Sequence, residues 1–344
     1  MRVAHWSIWA PHRSGMYHTT KDLVAGTKAA GIDAAFIDAM DPTGKSDGNF
    51  MACPAAWADT ADLYMMHLAV PEPYASDGTP TIIALHGHPL YSMQIELYGT
   101  EPGNAAPFTT LLNYFQRKQP TLFVSFWERE QAGYWTPLDD VRGKPRVRYI
   151  PRGIDFAGCD LTPDGPRVDL AGDPAIVICD QFRLFKDAIP SIYGAYLYWL
   201  SNPRARVHLY AMPPVGTQTR TTLDRWLNTS QLHRCIGSVN DVTPNLPDVL
   251  RSADMLVSTV TGESRVLVEA QACGCPVIAP APEADVQVNE FWLPDKVAAA
   301  IAEARATCKV TKTARRARAK ATRAAYPIER TAEELAALYK EILG

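Results

Sequence analysis

The chain has 344 residues, a length that suits two domains of ordinary size. Its 47% apolar and 21% charged content is that of a globular protein, and a net charge of −3 excludes a globally basic nucleic-acid binder. No apolar run reaches the ~18 residues that a membrane span needs, and the start "MRVAHWSIWAP" is too short and too polar for a signal peptide.

In chain order, "RVAHWSIW" predicts a first strand, Gly15 and its neighbours a loop, and "YHTTKDLVAGTKAAG" a helix with Gly31 as its C-cap. Strands follow at "DAAFIDA", "DLYMMHLA" and "TPTIIALHG", a helix near "FTTLLNYFQRK", and strands at "TLFVSF" and "RVRYIPRGID". A Pro/Gly/Asp-rich seam over residues 153–173 reads as a linker. A second series begins beyond it. "AIVICDQF", "ARVHLYAM", "IGSV", "DMLVST" and "PVIAP" read as strands; "IPSIYGAYLYWLS", "TTLDRWLNTS", "LPDVLRSA" and "RVLVEAQAC" read as helices. Short apolar runs alternating with helices argue for α/β layers with parallel sheets. Such sheets bind ligands outside the C-terminal ends of their strands, so two halves predict a cleft between domains.

The stretch "VSTVTGESRVLVEAQACGCPVIAP" carries the most chemistry. A buried strand runs into the turn "TGES", and a helix then runs from about Arg265 to Cys273, stopped by Gly274. The first helical amides, those of Glu263, Ser264, Arg265 and Val266, have no partner inside the helix and carry its dipole. That is an anion site suited to phosphate. Glu269, one turn beyond Arg265 on the same face, suits the vicinal hydroxyls of a ribose. Cys273 and Cys275 could pair on a metal, but no second Cys/His pair has finger spacing, and buried thiols are the expectation. The seven cysteines, at 53, 159, 179, 235, 273, 275 and 308, are an odd, scattered set. They predict a reducing cytoplasm without a disulfide framework.

This stretch resembles the nucleotide-sugar signature of GT-B glycosyltransferases, above all the retaining family 4. The family pattern is Glu-Gly-Phe-Gly, four residues, then Glu-Ala-x-Ala-x-Gly-x-Pro-Val-Ile-Ala. The second half matches "EAQACGCPVIA"; in the first half Thr261 stands where the family has glutamate, and Glu263 and Ser264 replace Phe-Gly. Further stretches resemble the family in the family's order. "APHRSGMYHTTKDLV" resembles the glycine loop of the acceptor domain with Gly15 kept, and "TIIALHGHP" the strand that brings His86 near the donor sugar. "YIPRGID" resembles the interdomain crossing, and "DQFRLFKD" a shortened loop that sets Arg183 and Lys186 beside a diphosphate. "VNDVTPNLPDVLRSADMLVSTV" resembles the lead-in to the signature, and "YPIERTAEELAALYKEIL" the final helix that returns to the first domain.

The resemblance implies a GT-B fold: two Rossmann-like domains facing an interdomain cleft. Residues 1–155 would form the acceptor-side domain, 156–325 the nucleotide-sugar domain, and 326–344 a C-terminal helix packed back on the first. It implies a hexosyltransferase that moves sugar from a nucleoside-diphosphate donor of UDP or GDP type to an acceptor hydroxyl, with retention, without metal or cofactor, in the cytoplasm. His86 is the candidate catalytic residue, with His88 a weaker one. Gly15, Arg183, Lys186, Gly262, Glu263, Ser264, Arg265, Val266 and Glu269 are the candidate donor contacts. Thr261 leaves open how the sugar is held and also leaves room for a non-catalytic sugar-nucleotide binder.

Lys309, Lys312, Arg316, Lys320 and Arg323 recur at steps of three or four and predict a basic helical stripe, thickened by Arg315 and Arg318, with alanines opposite. A solvated face is the plain expectation. Anionic lipid and nucleic-acid phosphates are the sharper ones. The last admits a phage-type enzyme that glucosylates hydroxymethylated DNA bases, with the aromatic insert "HPLYSMQIELYGTEPGNAAPF" near the acceptor.

Overall fold

A computed structural model of the chain describes residues 1–9, 15–41, 43–46, 50–67, 74, 77–86, 121–126, 147–180, 187–213, 215–241, 243, 245–260 and 264–344. They form two compact units, Met1–Asp155 with Tyr326–Gly344, and Phe156–Ala325. The predicted "FTTLLNYFQRK" helix, His88 and the aromatic insert after it lie outside the described residues.

The first unit is an eight-stranded sheet of order β3-β4-β2-β1-β5-β6-β7-β8. Its strands are β1 Arg2–Ser7, β2 Asp33–Asp38, β3 Lys45–Ser46, β4 Met51–Cys53, β5 Leu63–Met66, β6 Thr81–Leu85, β7 Thr121–Ser125 and β8 Val147–Tyr149. Every pairing is parallel except β3 with β4. The short β3 and β4 and the 3-10 helix Ala55–Thr60 have too few apolar positions to announce themselves in the sequence. Helix α1, Gly15–Ala29, ends before Gly31, whose φ of +81° suits a residue without Cβ. Gly15 is thus the first helical residue and not part of a loop.

Period-two alternation builds the core. Trp6, Ile37, Met66, Ile83 and Phe123 pack on one face of the sheet, while Val3, Leu63, Met65, Ile82 and Val124 pack on the other. The second group is covered by the C-terminal helix, Ile328–Leu343, through Leu335, Leu338 and Tyr339. The Tyr339 hydroxyl reaches Met65 Sδ at 3.2 Å, and Thr331 Oγ1 donates to the Pro151 carbonyl at 2.6 Å.

The second unit is a six-stranded parallel sheet of order β11-β10-β9-β12-β13-β14. Its elements in chain order are β9 Ala175–Ile178, α2 Ile189–Ser201, β10 Arg206–Leu209, α3 Gln218–Thr229, β11 Ile236–Val239, α4 Leu246–Ser252, β12 Met255–Val257, α5 Arg265–Ala272, β13 Val277–Ala279, β14 Val286–Gln287, α6 Pro294–Thr307 and α7 Lys312–Ala325. The C-terminal helix of the chain is α8. Ile176, Ile178, Val207, Leu209, Met255, Val257 and Ile278 form the core with Ile192, Trp199, Val297 and Ile301. Gly274, at φ +79°, turns the chain from α5 into β13.

Residues 153–173 are not a loose linker. Beyond Phe156 the segment belongs to the second unit and wraps a guanidinium from α4. Arg251, with 0% of its surface exposed, donates to the carbonyls of Asp160 (2.8 Å), Thr162 (3.1 Å) and Pro166 (2.7 Å) and pairs with the carboxylates of Asp160 and Asp248. A buried cation is stable only when paired and fully hydrogen-bonded, and this segment supplies most of the acceptors.

The basic stripe also differs from expectation. Helix α7 begins at Lys312, so Lys309 precedes it. Arg315 is 3% exposed and donates to the carbonyls of Val310, Arg251 and Ala253. Arg318 pairs with Asp285 and donates to the Gly274 carbonyl. The inward stripe is therefore Arg315, Ala319 and Thr322, while Ala317, Ala321 and Ala324 face solvent. Arg316 pairs with Asp164, and Arg323 donates to the Leu161 carbonyl at 2.7 Å. Alanine-rich periodicity misled because a buried arginine satisfied by backbone carbonyls reads as a surface residue in the sequence.

Candidate active site

In an open parallel sheet the ligand crevice opens where the strand order reverses, outside the carboxyl ends. In the second unit that point lies between β9 and β12. Asp180, two residues past β9, is buried there. It accepts from Ser258 Oγ at 2.8 Å and from the Thr259 amide at 3.0 Å. Thr259 Oγ1 in turn donates to the Asp187 carbonyl at 2.7 Å. The ends of both strands, and the return of the chain into α2, are thus tied to one buried carboxylate. Asp180 opens the quoted motif "DQFRLFKD", but its role went unread because a buried aspartate cannot be told from a loop one by sequence alone.

Arg183 and Lys186, and likewise Thr261, Gly262 and Glu263, lie outside the described residues. Their described flanks are Asp180 and Asp187 on one side, and Val260 and Ser264 on the other. Ser264 is the N-cap residue of α5 and makes no side-chain capping bond. It is buried, as is Arg265, whereas Val266 is partly exposed.

Glu269 is no exposed surface carboxylate. It is 14% exposed, and its Oε1 accepts from Arg265 Nε at 2.5 Å. Arg265 Nη2 reaches Cys159 Sγ at 3.4 Å. The pair fixes the Glu269 side chain along the first turns of α5.

Cys273 and Cys275 are fully buried, and burial pushes both thiols up, that of Cys275 to about 12. No disulfide joins any of the seven cysteines, and no metal-ligating cluster occurs among the described residues.

In the first unit the order reverses between β1 and β5. Gly15 starts α1 beyond β1, and among the described residues a Cβ built on it meets nothing within 4 Å. His86 directly follows β6 and lies beside Phe126, ring centroids 6.1 Å apart. Its Nε2 stands 2.5 Å from His67 Nδ1, and His67 Nε2 stands 3.1 Å from His5 Nδ1. Burial pushes His86 and His5 down to about 3 and His67 well below the ordinary range; Arg152 adds to the effect on His86, and the neighbouring histidines to that on His67. All three rings are neutral near pH 7. His5 and His67 were visible in the sequence as histidines inside the apolar runs "RVAHWSIW" and "DLYMMHLA", a signal that strand prediction absorbs without using.

The family model for glycosyl transferases group 1 matches residues 180–308. No curated protein sequence matches the chain. Among solved structures it is similar to the pneumococcal O-GlcNAc transferase GtfA in complex with UDP and GlcNAc, at 10% identity and TM-score 0.68, over 100% of this chain and 99% of that one. It is similar to Anabaena Alr3699/HepE in complex with UDP-glucose at 13% identity and TM-score 0.67, over 99% and 100%. A third similar structure is an alpha-glucosyltransferase in complex with UDP and a 13-mer DNA containing a HMU base, at 7% identity and TM-score 0.63, over 100% and 99%. The fold is GT-B, and fold and family match together define a glycosyltransferase. No helix among the described residues is long and apolar enough to cross a membrane.

Proposed function

We propose that this glycosyltransferase takes a hexose from a nucleoside diphosphate of UDP or GDP type and transfers it to an acceptor hydroxyl with retention and without a bound metal, in the manner of retaining family 4. In this reading residues 156–325 hold the donor, the first unit holds the acceptor, and the enzyme works in the cytoplasm, which seven cysteines without a disulfide favour. The observation that carries it is the switch point between β9 and β12. There Asp180 ties together the strand ends that precede Arg183, Lys186, Gly262 and Glu263, and α5 presents a first turn that Ser264 does not cap with its side chain.

The chemistry needs charge stabilisation more than a nucleophile. As the sugar C–O bond breaks, negative charge gathers on the leaving diphosphate. The amides from Gly262 to Val266, the α5 dipole, Arg183 and Lys186 would stabilise it. Glu269 would accept from the ribose hydroxyls. The acceptor proton would pass to a leaving phosphate oxygen on the same sugar face. Gly15 would let backbone approach the donor, and His86 would contact the sugar. Similar solved structures that hold UDP favour the UDP series.

The test is a donor screen by thermal shift followed by turnover assays with and without a chelator. A native-state ligand raises the melting temperature. One nucleotide sugar is expected to do so and to be consumed equally with chelator present, the product keeping the donor's anomeric configuration. Binding without turnover toward any acceptor would favour a non-catalytic binder.

A DNA acceptor is the second reading. It is favoured by the similar structure solved with DNA and by the exposed Lys309, Lys312 and Lys320. Arg316 and Arg323 are also exposed, although each already has a protein partner. Duplex affinity that falls steeply with salt would support this reading, and no binding at low salt would exclude it.

A further inference from the structure

Of the line of histidines from β1 to β6, only His86 enters the function above; His5 and His67 have no part in it. His5 is 0% exposed and His67 4% exposed, and His86 is the only one of the three that is partly open. The rings of His5 and His67 are inclined by 20° with centroids 5.4 Å apart, which accommodates an edge-to-edge N–H···N bond across the 3.1 Å nitrogen pair. The far nitrogen of His5, Nε2, is buried with no hydrogen-bond partner among the described residues.

A neutral imidazole carries one N–H and one bare nitrogen. Two ring-to-ring bonds in series therefore allow two arrangements. With hydrogen on every Nε2, His86 donates to His67 and His67 to His5, and an N–H is stranded on His5 where nothing accepts it. With hydrogen on every Nδ1, His5 donates to His67 and His67 to His86. The unspent N–H then sits on His86, at the open end, and the sealed end keeps only a bare nitrogen. Orphaned buried N–H groups are the rarer defect, so the second arrangement is favoured.

We propose that His5 and His67 are positioning residues that hold His86 as its Nδ1–H tautomer, so that His86 meets a sugar oxygen as a neutral hydrogen-bond donor and takes no proton from the acceptor. This rests on the glycosyltransferase reading for the identity of the oxygen, and on the ring geometry, the burial of the rings and the sealed His5 Nε2 for the tautomer. The second ring nitrogen of a working histidine is commonly set by such a partner. Here the partner is itself set by a third ring.

The test is a set of long-range proton–nitrogen spectra of the full chain labelled with 15N-histidine, near pH 7. The rings are assigned with His5→Phe, His67→Phe and His86→Phe. Three neutral Nδ1–H rings are expected, with His86 reverting in His67→Phe to the Nε2–H form that free histidine prefers. Nε2–H on the three wild-type rings overturns the proposal, and that spectrum decides even where a variant fails to fold. A His86 signal indifferent to the loss of His67 also overturns it. In turnover assays His67→Phe is expected to lower kcat about tenfold with KM for the donor within about twofold. His67→Gln, whose carboxamide both donates and accepts, is expected to regain part of that loss. Unchanged kcat in His67→Phe overturns the positioning role. A wild-type chain that consumes no nucleotide sugar refutes the function proposed above, and the ring spectra then still decide the tautomer.

Discussion

At the residue scale, buried titratable groups set how this protein responds to acid. His5 and His86 are held near 3 and His67 also well below the ordinary range, whereas an unfolded histidine titrates near ~6.5. Between those values the unfolded state binds protons that the folded state refuses, so stability rises with pH across the window. The contribution is complete above about pH 6.5 and is lost as pH falls toward 3. The carboxylates held low by their partners, Asp41 and Asp164, lose their contribution only below the ordinary carboxylate value. The melting temperature is therefore expected to fall already between about pH 6.5 and 5. A melting temperature flat over that range would contradict the buried, neutral rings. The turn at Gly274 was legible at this scale from the signature, and so was the placement of Glu269 one turn from Arg265. Asp180 and Arg251 were not, because their roles depend on partners far away in sequence.

At the element scale, α7 separates what patterning reveals from what packing decides. Its charge period was legible, and so was its helical state. Which face turns inward was not, since Arg315 is buried by carbonyls from α4 and its flank rather than by apolar side chains. Arg315→Ala leaves those carbonyls unpaired in a site that already disfavours a charge, and is expected to cost about 3 kcal/mol. Lys320→Ala, on the exposed side of the same helix, is expected to stay within about 0.5 kcal/mol. Denaturant titration of both variants checks this; equal losses would mean the helix is oriented otherwise. The elements that escaped the sequence were β3, β4 and β14, where two or three residues carry no period, the 3-10 helix Ala55–Thr60, and the longer helix α6.

At the scale of the whole molecule, α8 is the last element in sequence and part of the first unit in space. Leu335, Leu338 and Tyr339 cover Val3, Leu63 and Met65, so a chain ending at residue 325 would expose the face beneath them. Two buried leucines and a tyrosine amount to several kcal/mol, of the order of a domain's whole stability. Deletion of 326–344 is expected to unfold the first unit and leave a separate cooperative transition for the second; calorimetry showing both transitions intact would contradict that packing. The alternation of strands and helices made the α/β class legible, and the ordered stretches made GT-B legible. The anchoring of the β9 and β12 ends at one carboxylate was not, because it is a property of strand order.

The central claim is that a nucleotide sugar docks at the start of α5 with Glu269 on its ribose. Calorimetric titration of UDP and GDP into the wild type and into Glu269→Ala tests it most directly. One of the two nucleotides is expected to bind the wild type and to bind the variant at least about tenfold more weakly, a loss of about 1.4 kcal/mol or more. Because Arg265 loses its partner in the variant, a melting curve must first show that the variant is folded. Equal affinity in a folded variant, or no binding of either nucleotide to the wild type, would contradict the account.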